Sequence, residues 1–167
     1  MGKLSSLLGI ALAVLPVVSA AAAEGDAAAL AAKLKEAKVS LQQGFSASAK
    51  SGNPISGKFE VEDGKLQLSV YTAKGDGFSE VIVDHKTGKV VKSEPITSGD
   101  DLTAAKAQSE AMAKAKTSLS AAVSRAQKAN KGYRAVSATP SLKDGRPTAD
   151  VTLLKGTESK TVSEALE

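Results

Sequence analysis

The chain has 167 residues, with 22 Lys and Arg against 18 Asp and Glu, a single His and no Cys or Trp. Those counts exclude disulfide stapling, thiol catalysis and any cluster of imidazole or thiolate metal ligands. The formal charge of +4 is mild, and Lys alternates with Glu and Asp along most of the chain. A nucleic-acid binder gathers its cations into a stripe interleaved with aromatics, so no nucleic-acid partner is expected.

At the N-terminus Lys3 precedes an apolar run from Leu7 to Val18 and a small-residue segment, Ser19 to Ala23. This is the three-part plan of a secretory signal, and the run of about 12 residues falls short of the roughly 20 that cross a bilayer. Ala21 and Ala23 place cleavage before Glu24, with a cut after Ala20 as the other register and an uncleaved anchor as the alternative. Residues 1–23 are therefore expected to be a signal peptide, and the periplasm the destination. Beyond it the chain keeps 21 Lys and Arg and 18 acids, a formal charge of +3, and no further stretch long enough to span a membrane. With only three Phe and two Tyr, its core must be built from Leu, Val, Ile and Ala.

From Leu30 the apolar residues Leu34, Ala37, Leu41 and Phe45 recur at helical spacing, and Gly52-Asn53-Pro54 stops the helix. The period changes to two at Lys58. Phe59 and Val61 lead to a turn at Asp63-Gly64, and Leu66, Leu68 and Val70 alternate with polar residues beyond it. A turn at Lys74-Gly75-Asp76-Gly77 returns the chain through Val81-Ile82-Val83, and another at Asp84-His85-Lys86-Thr87-Gly88 leads into Lys89-Val90-Val91-Lys92. Helix followed by a four-strand meander is the predicted order.

The same order then repeats. Lys116-Thr117-Ser118-Leu119 matches Lys38-Val39-Ser40-Leu41 at an offset of 78, and Met112, Ala115 and Val123 match Leu34, Ala37 and Phe45. Ser98-Gly99-Asp100-Asp101 has the form of a capping box at the start of the second helix, and Asn130-Lys131-Gly132 ends it. Strands follow through Ala135-Val136-Ser137-Ala138, Thr148 to Leu154 and Lys160 to Leu166, with turns at Asp144-Gly145 and Lys155-Gly156. The offset here is 81, which places three extra residues around Thr139-Pro140-Ser141; no counterpart of the fourth strand follows. The expected fold is α+β: two tandem modules, 24–97 and 98–167, joined through Ile96 to Asp101, each one helix laid over one face of an antiparallel meander.

Val81-Ile82-Val83-Asp84-His85-Lys86-Thr87-Gly88-Lys89-Val90, a valine-rich strand followed by D-x-x-T-G-x-V after a helix and glycine stop, resembles the PepSY domain. This is a small exported or membrane-attached bacterial module of one helix on an antiparallel sheet. In that turn Asp84 can accept backbone N–H bonds while Gly88 supplies a positive φ, so both are structural turn residues. The second copy departs from the pattern by ending before the equivalent Asp and Gly. The resemblance implies a protein that inhibits or restrains a peptidase.

Catalytic chemistry finds no foothold. A triad would have to use His85, which is read as a solvated turn residue because nothing nearby would hold its tautomer. Glu60-Val61-Glu62-Asp63 offers acids that alternate across a strand, Asp100-Asp101 reads as N-terminal helix charge, and Gly75-Asp76-Gly77 joins two strands and opens no helix. Lys33, Lys35, Lys38, Lys106, Lys114 and Lys116 read as solvated helix faces, with weak attraction to anionic headgroups as the alternative. No catalytic residue, cofactor site or metal site is expected. The expected activity is binding of a peptidase or other envelope protein through a helix-free sheet face or an edge strand, and the alternative is a structural or stress-related envelope protein. Clustered apolar residues on the free face would favour the first, and a uniformly polar face the second.

Overall fold

A computed structural model describes residues 20–167; residues 1–19, with most of the expected signal segment, lie outside the described residues. In chain order the elements are α1 (Ala20–Leu34), α2 (Leu41–Ser48), β1 (Asn53–Glu62), β2 (Lys65–Lys74), β3 (Gly77–Val83), β4 (Val90–Ile96), α3 (Gly99–Lys114), α4 (Leu119–Ala129), β5 (Arg134–Lys143), β6 (Arg146–Lys155) and β7 (Glu158–Ala165). The fold is α+β, with four helices and one seven-stranded antiparallel sheet ordered β4-β3-β2-β1-β5-β6-β7.

Each half has two helices where the sequence predicts one. Helical spacing runs through 35–40 uninterrupted, yet the chain breaks there because Ser40 starts a new helix. Its Oγ accepts the Gln43 N–H at 3.2 Å, and Gln43 Oε1 accepts the Ser40 N–H at 2.8 Å, a reciprocal capping box. In the second half Ser118 Oγ accepts the Ala121 N–H at 3.2 Å and starts α4. The matched K-V-S-L and K-T-S-L segments are thus linkers and caps, not helix interior. The box expected at Ser98 does not form: Ser98 precedes α3 but makes no side-chain cap bond. The three extra residues of the second half also lie elsewhere than expected. β1 and β5 each have 10 residues, whereas α2 has 8 and α4 has 11.

Strand period and turn chemistry set the sheet. Asp63-Gly64 and Asp144-Gly145 both take positive φ at both central residues, the geometry that matches a hairpin to the twist of its strands. β1 begins at Asn53, ahead of the expected Lys58, and is irregular between Pro54 and Ser56; β5 is irregular between Ala135 and Ser137, again at an offset of 81. The halves were expected to carry separate sheets, but β1 pairs with β5 through Gly57↔Ala138 and Lys58↔Ser137 and merges them. Such a seam is long-range, and no local pattern announces it.

Registration gives the sheet one apolar face. Gly57 pairs with Val70 and Ala138, Val70 with Val81, and Ala138 with Val151, so these positions share a side with Phe59, Leu68, Val83, Ala149 and Leu153. All are buried. α2 and α4 cover this face and touch each other through a 2.8 Å bond from Gln42 to Gln127. Gly57 lets α2 approach, since a Cβ there would lie 2.6 Å from the Phe45 ring.

The opposite face was expected to be free of helices, and it is not. α3 lies against its centre, where Ser56 Oγ donates to Gln108 Oε1 at 2.7 Å and Ala104 and Ala105 approach Tyr71, Ser137 and Thr139. Alanine permits this, because a side chain of one methyl can sit close to a polar sheet without stranding apolar bulk.

Candidate functional site

The Asp84–Gly88 turn is closed by backbone groups. Asp84 Oδ1 accepts the N–H groups of Lys86 and Thr87, each at 2.8 Å, and Gly88 has φ +75°. The Thr87 and Lys86 amides hold the Asp84 carboxyl below its ordinary range.

His85, read from sequence as a solvated residue, is half-buried. Its carbonyl accepts the N–H groups of Lys38 and Val39 at 2.9 and 3.1 Å, and its ring Nδ1 is buried without a partner among the described residues. In the second half the carbonyl of Leu166 accepts from Lys116 and Thr117 at 2.7 and 3.0 Å. Glu62, Asp63 and Asp84 line the same depression as His85, but among the described residues no side-chain hydrogen bond joins the imidazole to any of them. Among the described residues no cluster of three or more His, Asp or Glu could hold a metal ion, and no helix is long and apolar enough to cross a membrane.

Three surfaces remain. The first is a cleft of about 290 Å³ between α3 and the polar sheet face, lined by Ser56, Lys58, Tyr71, Asp101, Gln108 and Thr139 among others. Burial pushes the Tyr71 phenol well above its ordinary range, and Glu80, Glu60 and Asp101 add to the effect, so this cleft holds a neutral phenol among carboxylates. Glu60 is spoken for by Lys58 at 2.7 Å and the Ser69 hydroxyl at 3.1 Å. Asp100 and Asp101 occupy the first turn of α3, and Gly75 and Gly77 flank the β2–β3 turn.

The second surface is the margin of the sheet at β4, which is exposed along nearly its whole length. Val91 is 62% exposed and Val90 41%, and they are the exposed large hydrophobics of the described chain. Val91 shares a depression with Gln67 and Ile82 of the polar face. The third surface is the outer edge of β7, where Ser159, Thr161 and Ser163 are exposed and Lys160, Val162 and Glu164 are half-buried.

Arg134 is a residue whose role the sequence conceals. At the start of β5 its guanidinium donates to the carbonyls of Leu34 at 3.1 Å and Val39 at 2.8 Å, and sits 5.2 Å over the Phe59 ring. It clamps the α1–α2 linker of the first half to a strand of the second, and burial lowers the pKa of its guanidinium. Asn53, at the matching position, is exposed and has no such reach. Of the lysines read as solvated, Lys33 lies 3.5 Å from Glu36 and Lys114 3.9 Å from Glu110, both at the surface.

No family model and no curated protein matches the chain. Among solved structures, a lipoprotein candidate from Clostridium difficile 630 superposes with a TM-score of 0.43 at 11% identity, over 74% of this chain and 81% of that one.

Proposed function

We propose that the protein is an exported, non-enzymatic binding module of the bacterial envelope, built from two copies of a PepSY-like unit, and that it restrains a peptidase or another envelope protein. The repeat is supported by paired features, the caps Ser40 and Ser118 at an offset of 78 and, at an offset of 81, the strand irregularities at Pro54/Ser56 and Ala135/Ser137 and the linker anchors His85 and Leu166. Export rests on the Lys3, apolar and alanine pattern of residues 1–23. A periplasmic protein beginning at Glu24 is the expected mass; a full-length chain in the membrane fraction would contradict it.

The observation that carries the binding reading is the exposed Val91 beside Ile82, with the exposed Val90 opposite Val83 next to it, on the β4 margin of the sheet. Apolar side chains held out on a strand are a docking feature that a purely solvated margin lacks. The purified protein, added to envelope extract, is expected to lower its hydrolysis of casein, and a Val90→Lys/Val91→Lys variant to have lost that effect. Undiminished hydrolysis, or equal inhibition by the variant, would refute the reading. The structural alternative is favoured by the rest of that face, where Ser137, Thr139, Ser141, Thr148, Thr152 and Thr161 form a hydroxyl surface.

A further inference from the structure

The sheet has two edges, β4 and β7, and they are not equally open. β4 contains Pro95, which has no N–H to offer, and its pairing to β3 is irregular at Ile82/Val83. Both are devices that blunt an edge against further pairing. β7 has no proline, and its pairing with β6 is regular from Lys155↔Glu158 to Thr148↔Ala165.

The backbone of β7 fixes which groups face outward. Gly156 and Thr157 form a two-residue loop between the paired Lys155 and Glu158, and the pair flanking such a loop is bonded through both its N–H and C=O groups. Glu158, Lys160, Val162 and Glu164 therefore turn their backbone groups toward β6. The 2.9 Å bond from the Leu166 N–H to the Pro147 carbonyl follows the same alternation. Ser159, Thr161 and Ser163 turn theirs outward.

We propose that this edge pairs with a second copy of the chain, β7 antiparallel to β7 about Val162, so that two seven-stranded sheets become one. In that register outward groups meet outward groups, Thr161 against Ser163 of the second copy and the reverse. On the apolar face Lys160 lies opposite Glu164 of the second copy, Glu164 opposite its Lys160, and Val162 opposite itself. The segment Lys160-Thr161-Val162-Ser163-Glu164 is thus self-complementary in charge, which a two-fold interface requires. Centring the pair on Thr161 also matches the backbone but sets Glu158 against Glu164. Centring it on Ser163 sets Val162 against Glu164, so neither competing register keeps the ion pairs.

Both charged side chains are already held in place. Glu164 lies 3.2 Å from Arg125 of α4, and the Lys160 ammonium sits 4.2 Å over the Tyr133 ring. A carboxylate has two oxygens, so Glu164 can keep Arg125 and take Lys160 of the second copy. Thr161 pairs its hydroxyl with Thr152 at 3.1 Å, the contact type it would repeat with Ser163 across the new seam. This interface leaves both β4 margins free at the ends of the joined sheet, so it stands or falls independently of the binding reading above.

Sedimentation equilibrium of the purified protein over a concentration series tests the pairing. The wild-type chain is expected to form a dimer. Lys160→Glu and Glu164→Lys, measured separately, should each weaken it by about tenfold or more, because like charges then face each other twice. An equimolar mixture of the two variants should restore dimers, since every pair is again opposite in sign. Thr161→Pro removes an outward N–H that β6 does not use, and should abolish dimers while the far-ultraviolet circular dichroism stays that of the parent. A wild-type monomer at all concentrations, a dimer indifferent to both charge reversals, or a mixture that stays monomeric would overturn the proposal.

Discussion

The two halves anchor their helix linkers in the same way and with different side chains. In the first, the carbonyl of His85 takes the amides of Lys38 and Val39; in the second, the carbonyl of Leu166 takes those of Lys116 and Thr117. Leu166 is fully buried, whereas His85 is half-buried and strands its Nδ1. The anchor is therefore a property of the backbone. The side chain above it is free to vary in chemistry, at the cost of one unsatisfied polar atom in the first half.

The largest effect expected is on the paired helix faces. Leu41 and Leu119 are 1% and 3% exposed and follow the capping serines at equivalent positions. Leu41→Asp and Leu119→Asp should each lower stability by about 3 kcal/mol or more, because a carboxylate would be buried without a partner. Urea denaturation reads the loss, and a parent-like midpoint for either variant would break the equivalence of the halves.

Arg134 breaks the symmetry, so its removal should be felt more than that of Asn53. Arg134→Ala is expected to cost about 2 kcal/mol through lost charge-assisted bonds to the linker carbonyls, and Asn53→Ala far less. Equal losses in urea denaturation would mean that the clamp across the seam carries no weight. A smaller effect of opposite sign is expected at the anchor: His85→Leu should stabilise the protein by about 1 kcal/mol, since an apolar side chain leaves no buried nitrogen unpaired. Thermal melts of His85→Leu and the parent, run together, check the sign.

The smallest effect is alkaline. Tyr71 holds its proton in the folded protein above the ordinary phenol value of about 10, through burial and then Glu80, Glu60 and Asp101, while the unfolded chain releases it near that value. The unfolded state then binds fewer protons, so stability should fall as pH rises beyond about 10. Tyr71→Phe should flatten that fall. Thr152 is the matching residue of the second half, so no second phenol contributes from there. Stability measured against pH for the two proteins decides it.

Much of the sheet was legible in the sequence because period-two runs and Asp-Gly turns act locally. The helix break was not, since Leu34, Ala37 and Leu41 keep helical spacing across it and neither Pro nor Gly intervenes. Its signal was nonetheless printed in Ser40-Leu41-Gln42-Gln43, the S-x-x-Q of a capping box, while the similar pattern at Ser98 drew attention and formed no bond. α3 could not be assigned to the polar face from its composition, because an alanine-rich helix with little amphipathic contrast fits either side. The Val90-Val91 pair was visible as strand residues, but only the sheet order shows that it stands at a margin.

Native-state hydrogen exchange at four amides tests the equivalence of the halves most directly. Lys38 and Val39 should be protected together by the His85 carbonyl, and Lys116 and Thr117 together by that of Leu166, all four well above the flanking linker residues. Exchange of either pair at the rate of an open loop would contradict a common anchor and, with it, a single module used twice.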